Sequence, residues 1–291
     1  MPYLPAKERS LPKPPKILPS ESIEGKPFVQ GILHNQLGNQ MFEIAATISV
    51  ALDNGAIPIF PDLVTNTSNG IPLNYQYVFW RLNTSKPKQE LNHTHHDHGL
   101  PYQPILYQPN MGLCGLFQSE KHFIHHKDEI LKAFSPHESI VSYLYKKYNW
   151  LQTNPKTVAV HVRAYWPIYP GGNPEGKGVL PFLGLEYFKK AILTFPKDHL
   201  FVIFSDNIKW CKKNFRSIPR EFIFIEKQDY YLDFFMMGLC QHNIISNSSF
   251  SWWAAYMNKN PSKIVIAPKG WFTPESKLDA SDIIPAGWNI L

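Results

Sequence analysis

The sequence predicts an α/β protein in which helices cover both faces of parallel sheets. In its second half, short β-branched runs alternate with helical stretches, an order typical of parallel sheets with crossover helices. A strand–helix–strand unit near the N-terminus follows the same order. The chain has 291 residues, of which 44% are hydrophobic, so it is long enough for one large or two medium domains and apolar enough for a sizeable core.

The chain begins with a proline-rich segment, residues 1–27. Its composition favours extended polyproline geometry over packing in a core. We therefore predict a tail or strap there. The prolines that carry this prediction are Pro2, Pro5, Pro12, Pro14, Pro15 and Pro19.

The first regular unit follows the tail. Phe28 to Leu33 is a short apolar run and predicts a strand, which a polar turn, residues 34–36, separates from the next element. Apolar residues then recur at helical spacing from Leu37 to Leu52, and Asp53-Asn54-Gly55 is a typical helix end. A second strand is predicted from Ala56 to Phe60, which completes the strand–helix–strand unit.

The rest of the chain divides into a polar middle and a regular second half. Residues 61–150 are rich in Pro, Asn, Gln and His, and predict helices near Glu120–Phe134 and Glu138–Tyr148. We expect the two halves to be separate domains, 28–150 and 151–291. In the second half the predicted strands are Thr157–Val162, Leu200–Phe204, Glu221–Ile225, Asn243–Ser246 and Lys263–Ala267, and the predicted helices are Leu185–Thr194, Asn207–Phe215, Tyr230–Cys240 and Phe250–Met257.

Composition restricts the class of partner. The net charge of +6 suits an anionic ligand or an anionic membrane face, but no basic run tracks a nucleic-acid backbone, so we expect no nucleic-acid partner. Three widely spaced cysteines predict neither a disulfide framework nor a zinc site, which favours a reducing compartment. No apolar run has the length of a spanning helix, and the N-terminus lacks the apolar core of a signal peptide, so we expect a cytoplasmic protein.

Polar residues at the ends of the predicted strands indicate where a ligand binds. In an open parallel sheet, ligands bind outside the carboxyl ends of the strands. The turns found there are His161-Val162-Arg163, Ser205-Asp206-Asn207 and Ser246-Asn247-Ser248-Ser249. A serine-rich turn before a helix offers hydroxyls and free amides to an anion, and the Arg163 guanidinium forks onto two phosphate oxygens, so together they predict a pyrophosphate clamp. The alternative is that Ser248 or Ser249 only caps a helix and Arg163 is an ion-pair partner.

Two histidine-rich segments raise the possibility of a metal site. One contains His93, His95, His96 and His98, and the other contains His122, His125 and His126. Their spacings match no zinc pattern and no cysteine is nearby, so we predict that no metal is bound. The Gly171–Gly178 stretch lacks the strand–loop–helix context of a phosphate loop and predicts a lid, whereas Tyr165, Trp166 and Tyr169 are candidates for stacking on acceptor sugars.

Several motifs resemble those of the α-1,2-fucosyltransferase family. Asn35–Ala46 is similar to the opening motif of that family, His161-Val-Arg163 to its HxR motif, and Phe204–Cys211 to its FSDD-containing motif. The most specific match is Leu239–Trp253, within the long signature Asp233–Ala255, and Ile264–Phe272 continues it. The resemblance covers about residues 29–60 and 155–275.

The resemblance implies a GT-B glycosyltransferase, with two Rossmann-like domains that face each other across a cleft. It implies an inverting, metal-independent reaction in which GDP-L-fucose is the donor and a galactose-containing glycan is the acceptor, during surface polysaccharide assembly at the cytoplasmic face of a membrane. The positive charge would suit peripheral attachment to anionic lipids. No cofactor is implied, and the oligomeric state is left open.

The resemblance also implies roles for individual residues. Arg163 would hold the β-phosphate with Asn247, Ser248, Ser249 and Phe250 at the helix start. Asp233 would accept hydrogen bonds from the guanine edge, His161 would lie beside the nucleotide, and Asp206 would shape the pocket. Gly38, Asn39 and Gln40 would bring the first helix to the donor. Arg163 and Asn39 are the predicted catalytic residues, and Glu43, one turn beyond Asn39, is the candidate general base, with an exposed helix residue as the alternative.

Three departures from the family pattern leave the donor sugar open. Ala164-Tyr165-Trp166 stands where the family has Arg-Gly-Asp, Asn35-Gln36 replaces a Gly-Arg or Gly-Gly pair, and Asn207 replaces the second Asp of FSDD. A transferase with a different nucleotide sugar is therefore a second hypothesis. The third is a catalytically lapsed protein that binds a glycan or a nucleotide.

Overall fold

The computed structural model describes residues 12–17, 20–97, 101–164 and 179–291, and these form two parallel sheets flanked by helices. The predicted α/β class is therefore confirmed. The strands are β1 Phe28–Ile32, β2 Ile57–Ile59, β3 His93–His96, β4 Met111–Cys114, β5 Thr157–Val162, β6 Leu200–Ser205, β7 Glu221–Phe224, β8 His242–Ile244, β9 Val265–Ala267 and β10 Asn289–Ile290. The α-helices are α1 Leu37–Asp53, α2 Asp62–Thr65, α3 Ile71–Tyr77, α4 Lys127–Ala133, α5 Glu138–Tyr148, α6 Trp150–Thr153, α7 Gly184–Leu193, α8 Ile208–Asn214, α9 Tyr230–Leu239 and α10 Ser249–Tyr256.

The first sheet has the strand order β2-β1-β4-β3, and every pair in it is parallel. Its centre is β1, an apolar strand with both Phe28 and Val29 buried. The long helix α1 follows β1 directly, so it begins at the carboxyl edge of this sheet.

The second sheet has the order β7-β6-β5-β8-β9-β10, again with every pair parallel. This is the Rossmann order, in which the chain reverses its direction of growth between the first and fourth strands of the unit. Here the reversal falls between β5 and β8. The connections that leave these two strands therefore diverge and open a crevice at their carboxyl ends.

One aromatic core joins helices of the two halves. The ring of Phe42 on α1 lies 4.6 Å from that of Trp252 and 5.0 Å from that of Trp253, both on α10. All three side chains are at most 1% exposed. The first helix is thus packed against the second Rossmann-like unit through a buried hydrophobic contact, and the division into domains 28–150 and 151–291 stays a prediction.

The prediction of one helix over Glu120–Phe134 is wrong. That stretch forms two 3-10 turns, Glu120–His122 and Ile124–His126, before α4 begins at Lys127. The break occurs because Phe123, at φ −148°, directs its ring into the aromatic core, 5.2 Å from the ring of Trp253. In the part of the chain that the structure describes, no helix combines the length and apolar character needed to cross a bilayer.

Candidate active site

The crevice of the second sheet is held together by Ser246, which is fully buried in the turn after β8. Its hydroxyl donates to the carbonyl of His161 at 2.7 Å and accepts from the amide of Arg163 at 2.9 Å. The ends of β5 and β8 are therefore fixed to each other at the switch point. This turn residue, which the sequence reasoning placed in the cluster without a role, sets the position of Arg163.

Arg163 lies at this crevice in an ion pair with Asp206. Its Nη1 is 2.7 Å from Asp206 Oδ2, and Asp206 Oδ1 accepts from the amide of Ala164 at 2.8 Å. The arginine side chain is 41% exposed and the aspartate side chain 16%. Asp206 thus orients the guanidinium, which stays partly exposed to solvent. The ion pair named in the alternative is present.

The start of α10 lies at the same crevice. Ser248 occupies the capping position, yet within the described residues its side chain makes no capping hydrogen bond. The hydroxyl of Ser249 instead donates to Asn39 Oδ1 at 2.6 Å. Ser248 is therefore the N-cap residue by position, as the alternative had it, but it does not cap the helix through its side chain. The first amides of a helix have no carbonyl partner within it and carry its positive dipole end.

Gly38 allows α1 to meet α10 at this point. A Cβ atom on Gly38 would lie 2.4 Å from both the amide nitrogen of Phe250 and the carbonyl carbon of Ser249, closer than a side chain tolerates. Asn39, the next residue, accepts from Ser249 and also from Gln118 Nε2 at 2.9 Å. Gly38 and Asn39 therefore lie against the serine-rich turn, which brings two helix N-termini together, and their contact with a donor stays a prediction.

Gln40 lies behind this contact, inside the protein. It is fully buried. Its amide nitrogen donates to the carbonyls of Asn35 and Asn69, and its amide oxygen accepts from Asn74 Nδ2 at 2.6 Å. The side-chain oxygen of Asn74 accepts in turn from the hydroxyl of Tyr230 at 2.6 Å. Gln40 is therefore placed to brace the turn before α1 and to connect it to α9, and its predicted contact with a donor is not favoured by this position.

Asn247 also faces the protein. It is 1% exposed, and its amide nitrogen donates to the carbonyls of Pro181 and Trp271 at 2.8 and 3.1 Å. These bonds fix the turn to the segments before α7 and after β9. Its position supports the shape of the crevice, and direct contact with a donor stays a prediction.

Asp233 lies in the first turn of α9, at the carboxyl edge of the second sheet. Its Oδ1 is buried and has no hydrogen-bond partner among the described residues. Burial, with the nearby charge of Asp229, raises the pKa of Asp233 to about 7. An unpartnered buried carboxylate is costly unless a ligand completes it.

A row of ring contacts runs from His161 through Phe250 to Phe234, the residue after Asp233. The imidazole of His161 lies 5.5 Å from the ring of Phe250, which in turn lies 5.5 Å from the ring of Phe234, the neighbour of Asp233. His161 is 6% exposed, and burial lowers its pKa to about 4, so it is neutral at pH 7. Its Nδ1 is buried without a partner in the described part of the chain.

Glu43 is buried rather than exposed, so the alternative of an exposed helix residue is wrong. It is 1% exposed, and its Oε2 accepts from the amide of His34 at 2.8 Å, while Oε1 has no partner among the described residues. Burial raises its pKa well above the usual range, against the lowering effect of the His34 hydrogen bond. Glu43 braces the turn between β1 and α1, and its role as a base stays a prediction.

Some predicted features lie outside the described residues. These are the lid at Gly171–Gly178, the acceptor-stacking candidates Tyr165, Trp166 and Tyr169, one histidine, His98, and residues 1–11 and 18–19 of the proline-rich tail. Sequence reasoning gave no role to Ser246, Gln118 and Asn74, because each acts through contacts with residues far away in the chain.

A Rossmann-ordered sheet with an arginine and a helix N-terminus at its switch point is typical of proteins that bind phosphate-bearing nucleotides. The family model described as Glycosyl transferase family 11 matches residues 24–291. The chain therefore belongs to glycosyl transferase family 11, and it is an enzyme of the glycosyltransferase class. This finding confirms the resemblance drawn from the motifs and argues against the lapsed binding protein.

Several named relatives of this chain are glycosyltransferases as well. The O-antigen biosynthesis glycosyltransferase WbnK of Escherichia coli is 29% identical over 295 residues, which cover 84% of this chain and 95% of the relative. The alpha-1,2-colitosyltransferase of Escherichia coli is 30% identical over 183 residues, 60% of each protein. The galactoside 2-alpha-L-fucosyltransferase SEC1 of Bos taurus is 28% identical over 236 residues, 76% of this chain and 62% of the relative.

Solved structures show the same fold. The NodZ alpha-1,6-fucosyltransferase co-crystallized with GDP aligns at a TM-score of 0.51 with 14% identity, over 79% of this chain and 91% of NodZ. The fucosyltransferase NodZ from Bradyrhizobium aligns at 0.50 with 13% identity, over 79% and 92%. At this identity the similarity supports the fold alone.

Proposed function

We propose that this enzyme transfers L-fucose from GDP-β-L-fucose to a galactose hydroxyl of a glycan, forming an α-1,2 linkage with inversion and without a metal. The observation that carries the proposal is the convergence of Arg163 and the N-termini of α1 and α10 at the switch point of a Rossmann-ordered sheet, in a family that includes galactoside fucosyltransferases. The two sheets would then be the two Rossmann-like domains of a GT-B arrangement, with the donor between them.

The diphosphate is the part of the donor that this geometry suits best. The Arg163 guanidinium presents N–H groups in a fixed fork, and the first amides of α10 point outward from a helix whose dipole is positive there. The hydroxyl of Ser248 is next to these amides. Asn39 Oδ1 accepts from Ser249 at 2.6 Å, so a contact of this side chain with the anion would come from its amide nitrogen.

Asp233 would recognise the guanine base. Guanine presents two adjacent N–H donors on one edge, and a carboxylate accepts from both at once. The structure supplies a buried carboxylate oxygen without a partner among the described residues. The ring of Phe234, the residue after Asp233, contacts Phe250, which contacts His161, and we expect the base and ribose to lie along this row of rings.

The reaction is a single displacement at the anomeric carbon. The acceptor oxygen forms its bond from the face opposite the diphosphate, the bond from the anomeric carbon to the β-phosphate oxygen breaks, and the electron pair leaves with GDP. Negative charge therefore grows on the β-phosphate in the transition state. Arg163 and the amides at the start of α10 are placed to stabilise that charge, which is the task that a metal ion performs in other transferases.

The proton of the acceptor hydroxyl needs a base in this scheme. Glu43 lies one turn beyond Asn39 on α1, with a raised pKa that suits a general base. Its carboxylate is 1% exposed, however, and one oxygen is bonded to the His34 amide. The better-supported role of Glu43 is therefore to brace the turn before α1. We propose its role as the general base only as a second possibility for this residue.

A different deoxysugar is the second candidate for the donor. The relative named alpha-1,2-colitosyltransferase is 30% identical to this chain, slightly more than the galactoside fucosyltransferase at 28%. The residue after Arg163 is Ala164, fully buried, where the family has an arginine. The sugar-facing part of the site thus lacks one positively charged side chain, whereas the contacts proposed for GDP do not involve this position.

A donor panel tests this proposal. The enzyme is incubated in EDTA with a β-galactoside and, separately, GDP-L-fucose, GDP-colitose, GDP-mannose and UDP-galactose, and the product linkage is read by NMR. We expect an α-1,2-fucosylated product from GDP-fucose. Transfer from GDP-colitose alone would replace the donor sugar but keep the GDP site, and transfer from no GDP-sugar would contradict the proposal. Loss of activity in EDTA would contradict metal independence.

The setting of the reaction is also a proposal. The relative WbnK is named for the biosynthesis of O-antigen, and O-antigen is a surface polysaccharide. We place the enzyme at the cytoplasmic face of a membrane, where its charge of +6 favours peripheral contact with anionic lipids.

A further inference from the structure

A cluster of metal-ligating side chains lies at the other end of α1 from the donor crevice. Asp53 is the last residue of this helix, and His125 and His126 belong to the 3-10 turn that precedes α4. The ligand atoms of these three residues all lie within 4.8 Å of one another. The sequence places the aspartate more than 70 residues from the histidines, which is why spacing gave no sign of this site.

The separations between the Asp53 oxygen and the two histidine nitrogens are close to those of a tetrahedral site. Asp53 Oδ1 is 3.2 Å from Nε2 of His125 and 2.8 Å from Nε2 of His126, and the ligand nitrogens of the two histidines lie within 4.8 Å of each other. Zinc binds histidine nitrogen and carboxylate oxygen at about 2.0–2.1 Å, so two ligand atoms of a tetrahedron lie about 3.3 Å apart. The two oxygen–nitrogen separations are therefore within about half an ångström of tetrahedral values. The two nitrogens have to come closer by at most about 1.5 Å to surround a cation of this kind.

The surroundings favour a cation as well. The side chains of Asp53 and His125 are 44% and 49% exposed, so an ion reaches them from solvent. His126 is 22% exposed, which restricts its rotation. Two more carboxylates, Asp128 and Glu129, follow in the first turn of α4. Imidazole nitrogen with a carboxylate is a ligand set that suits zinc and its neighbours among the transition metals.

We infer that Asp53, His125 and His126 form a binding site for a zinc-class divalent cation, with water as the fourth ligand, which ties the end of α1 to the start of α4. The 17 residues of α1 separate this site from the donor crevice, a distance of about 24 Å along the helix. The ion therefore stabilises the helix that supports the crevice without touching the reacting atoms. Transfer in EDTA at low temperature continues, whereas resistance to heat depends on the metal.

The test uses the full chain without a polyhistidine tag, stripped with EDTA and titrated with ZnCl₂. We expect one zinc per chain by calorimetry and a rise of the melting temperature by about 5 °C at a hundred-fold excess over Kd. Co²⁺ in place of Zn²⁺ should give the visible absorption of a tetrahedral nitrogen–oxygen site. The same protein assayed for transfer at 25 °C should show equal rates with and without zinc.

Three variants assign the effect to these residues. D53N retains an oxygen that accepts hydrogen bonds from the histidines but loses the charge, and H126A removes one ligand; each should weaken zinc binding at least ten-fold and abolish the cobalt spectrum. H93A, at an exposed histidine of β3, is the matched control and should behave like the parent. No thermal shift with zinc, or an equal shift in D53N and H126A, would overturn the inference and leave an ordinary histidine–aspartate ion pair.

Discussion

Replacing Gly38 with alanine tests the contact on which the crevice depends. The added Cβ atom would lie 2.4 Å from backbone atoms of Ser249 and Phe250, whereas ordinary contact begins at 3.4 Å, so α10 has to retreat from α1 by about 1 Å. Both helices are buried at their packed faces, so this retreat also loosens the contact of Phe42 with the two tryptophans of α10. Overpacking of this kind costs about 1–3 kcal/mol.

The same displacement damages the site. It lengthens the 2.6 Å hydrogen bond from Ser249 to Asn39 and moves the amides of α10 away from the position of the diphosphate. A misplacement of about 1 Å lowers the rate by about a hundred-fold. We therefore expect Gly38→Ala to lower the melting temperature by about 3–9 °C and to reduce both GDP affinity and transfer.

Thermal unfolding, GDP titration and the transfer assay measure these effects on one preparation. Gly270→Ala is the matched control, because no atom of the described residues lies within 4 Å of its added Cβ and its φ is not positive. A Gly38→Ala enzyme with the stability and the activity of the parent would show that α1 and α10 do not meet as closely as described, and the reasoning would fail.

Three further predictions concern single side chains. Asp233→Asn should weaken GDP binding about 10–100-fold and remove the preference for GDP over inosine diphosphate, which lacks the exocyclic amino group. Because the pKa of Asp233 is about 7 in the folded chain against the usual 3.8, the GDP affinity of the parent should rise from pH 6 to 8 with release of a proton. The variant should show no such rise, and calorimetry measures both the affinity and the proton release. Ligand-free stability should fall correspondingly as pH increases from about 4 to 7, since the folded state holds this proton more tightly. Glu43→Gln should retain transfer within about ten-fold because its amide oxygen still accepts from the His34 amide, and a hundred-fold fall in kcat at unchanged KM would assign Glu43 as the base instead. Lys263→Met should lower the free energy of unfolding by about 1–3 kcal/mol in urea titrations, because Lys263 Nζ donates to three carbonyls at the end of α10. Lys259→Met, at an exposed lysine nearby, is the control. Equal stability of the two variants would contradict the capping role of Lys263.

Much of the fold could be predicted because its elements carry local signals. The apolar period of α1, the β-branched run of β5 and the amphipathic pattern of α5 give these elements nearly the predicted bounds. The strand β3 has no such signal, since His93–His96 is polar throughout, and it is a strand only because it pairs with β4. The break at Phe123 was missed for a related reason, because packing in the aromatic core outweighs helical preference there.

The candidate site could be predicted in type but not in geometry. Strand ends and a serine-rich turn indicated an anion near Arg163, and the structure brings these groups to one switch point. The pairing of Arg163 with Asp206, by contrast, and the burial of Glu43 depend on contacts between distant segments. Those contacts decide which side chains face the crevice and which support it from behind, and no local pattern records them.

The measurement that tests the central claim most directly compares Arg163→Ala with Arg216→Ala, at an exposed arginine in the 3-10 turn after α8. Both proteins are assayed for GDP affinity and for transfer from GDP-fucose to a β-galactoside, with melting temperatures as a check on folding. We expect Arg163→Ala to bind GDP about 10–100-fold more weakly and to lose transfer by at least about a hundred-fold, while Arg216→Ala resembles the parent. A folded Arg163→Ala protein with parental GDP affinity and transfer would contradict the proposal that the diphosphate binds at this crevice.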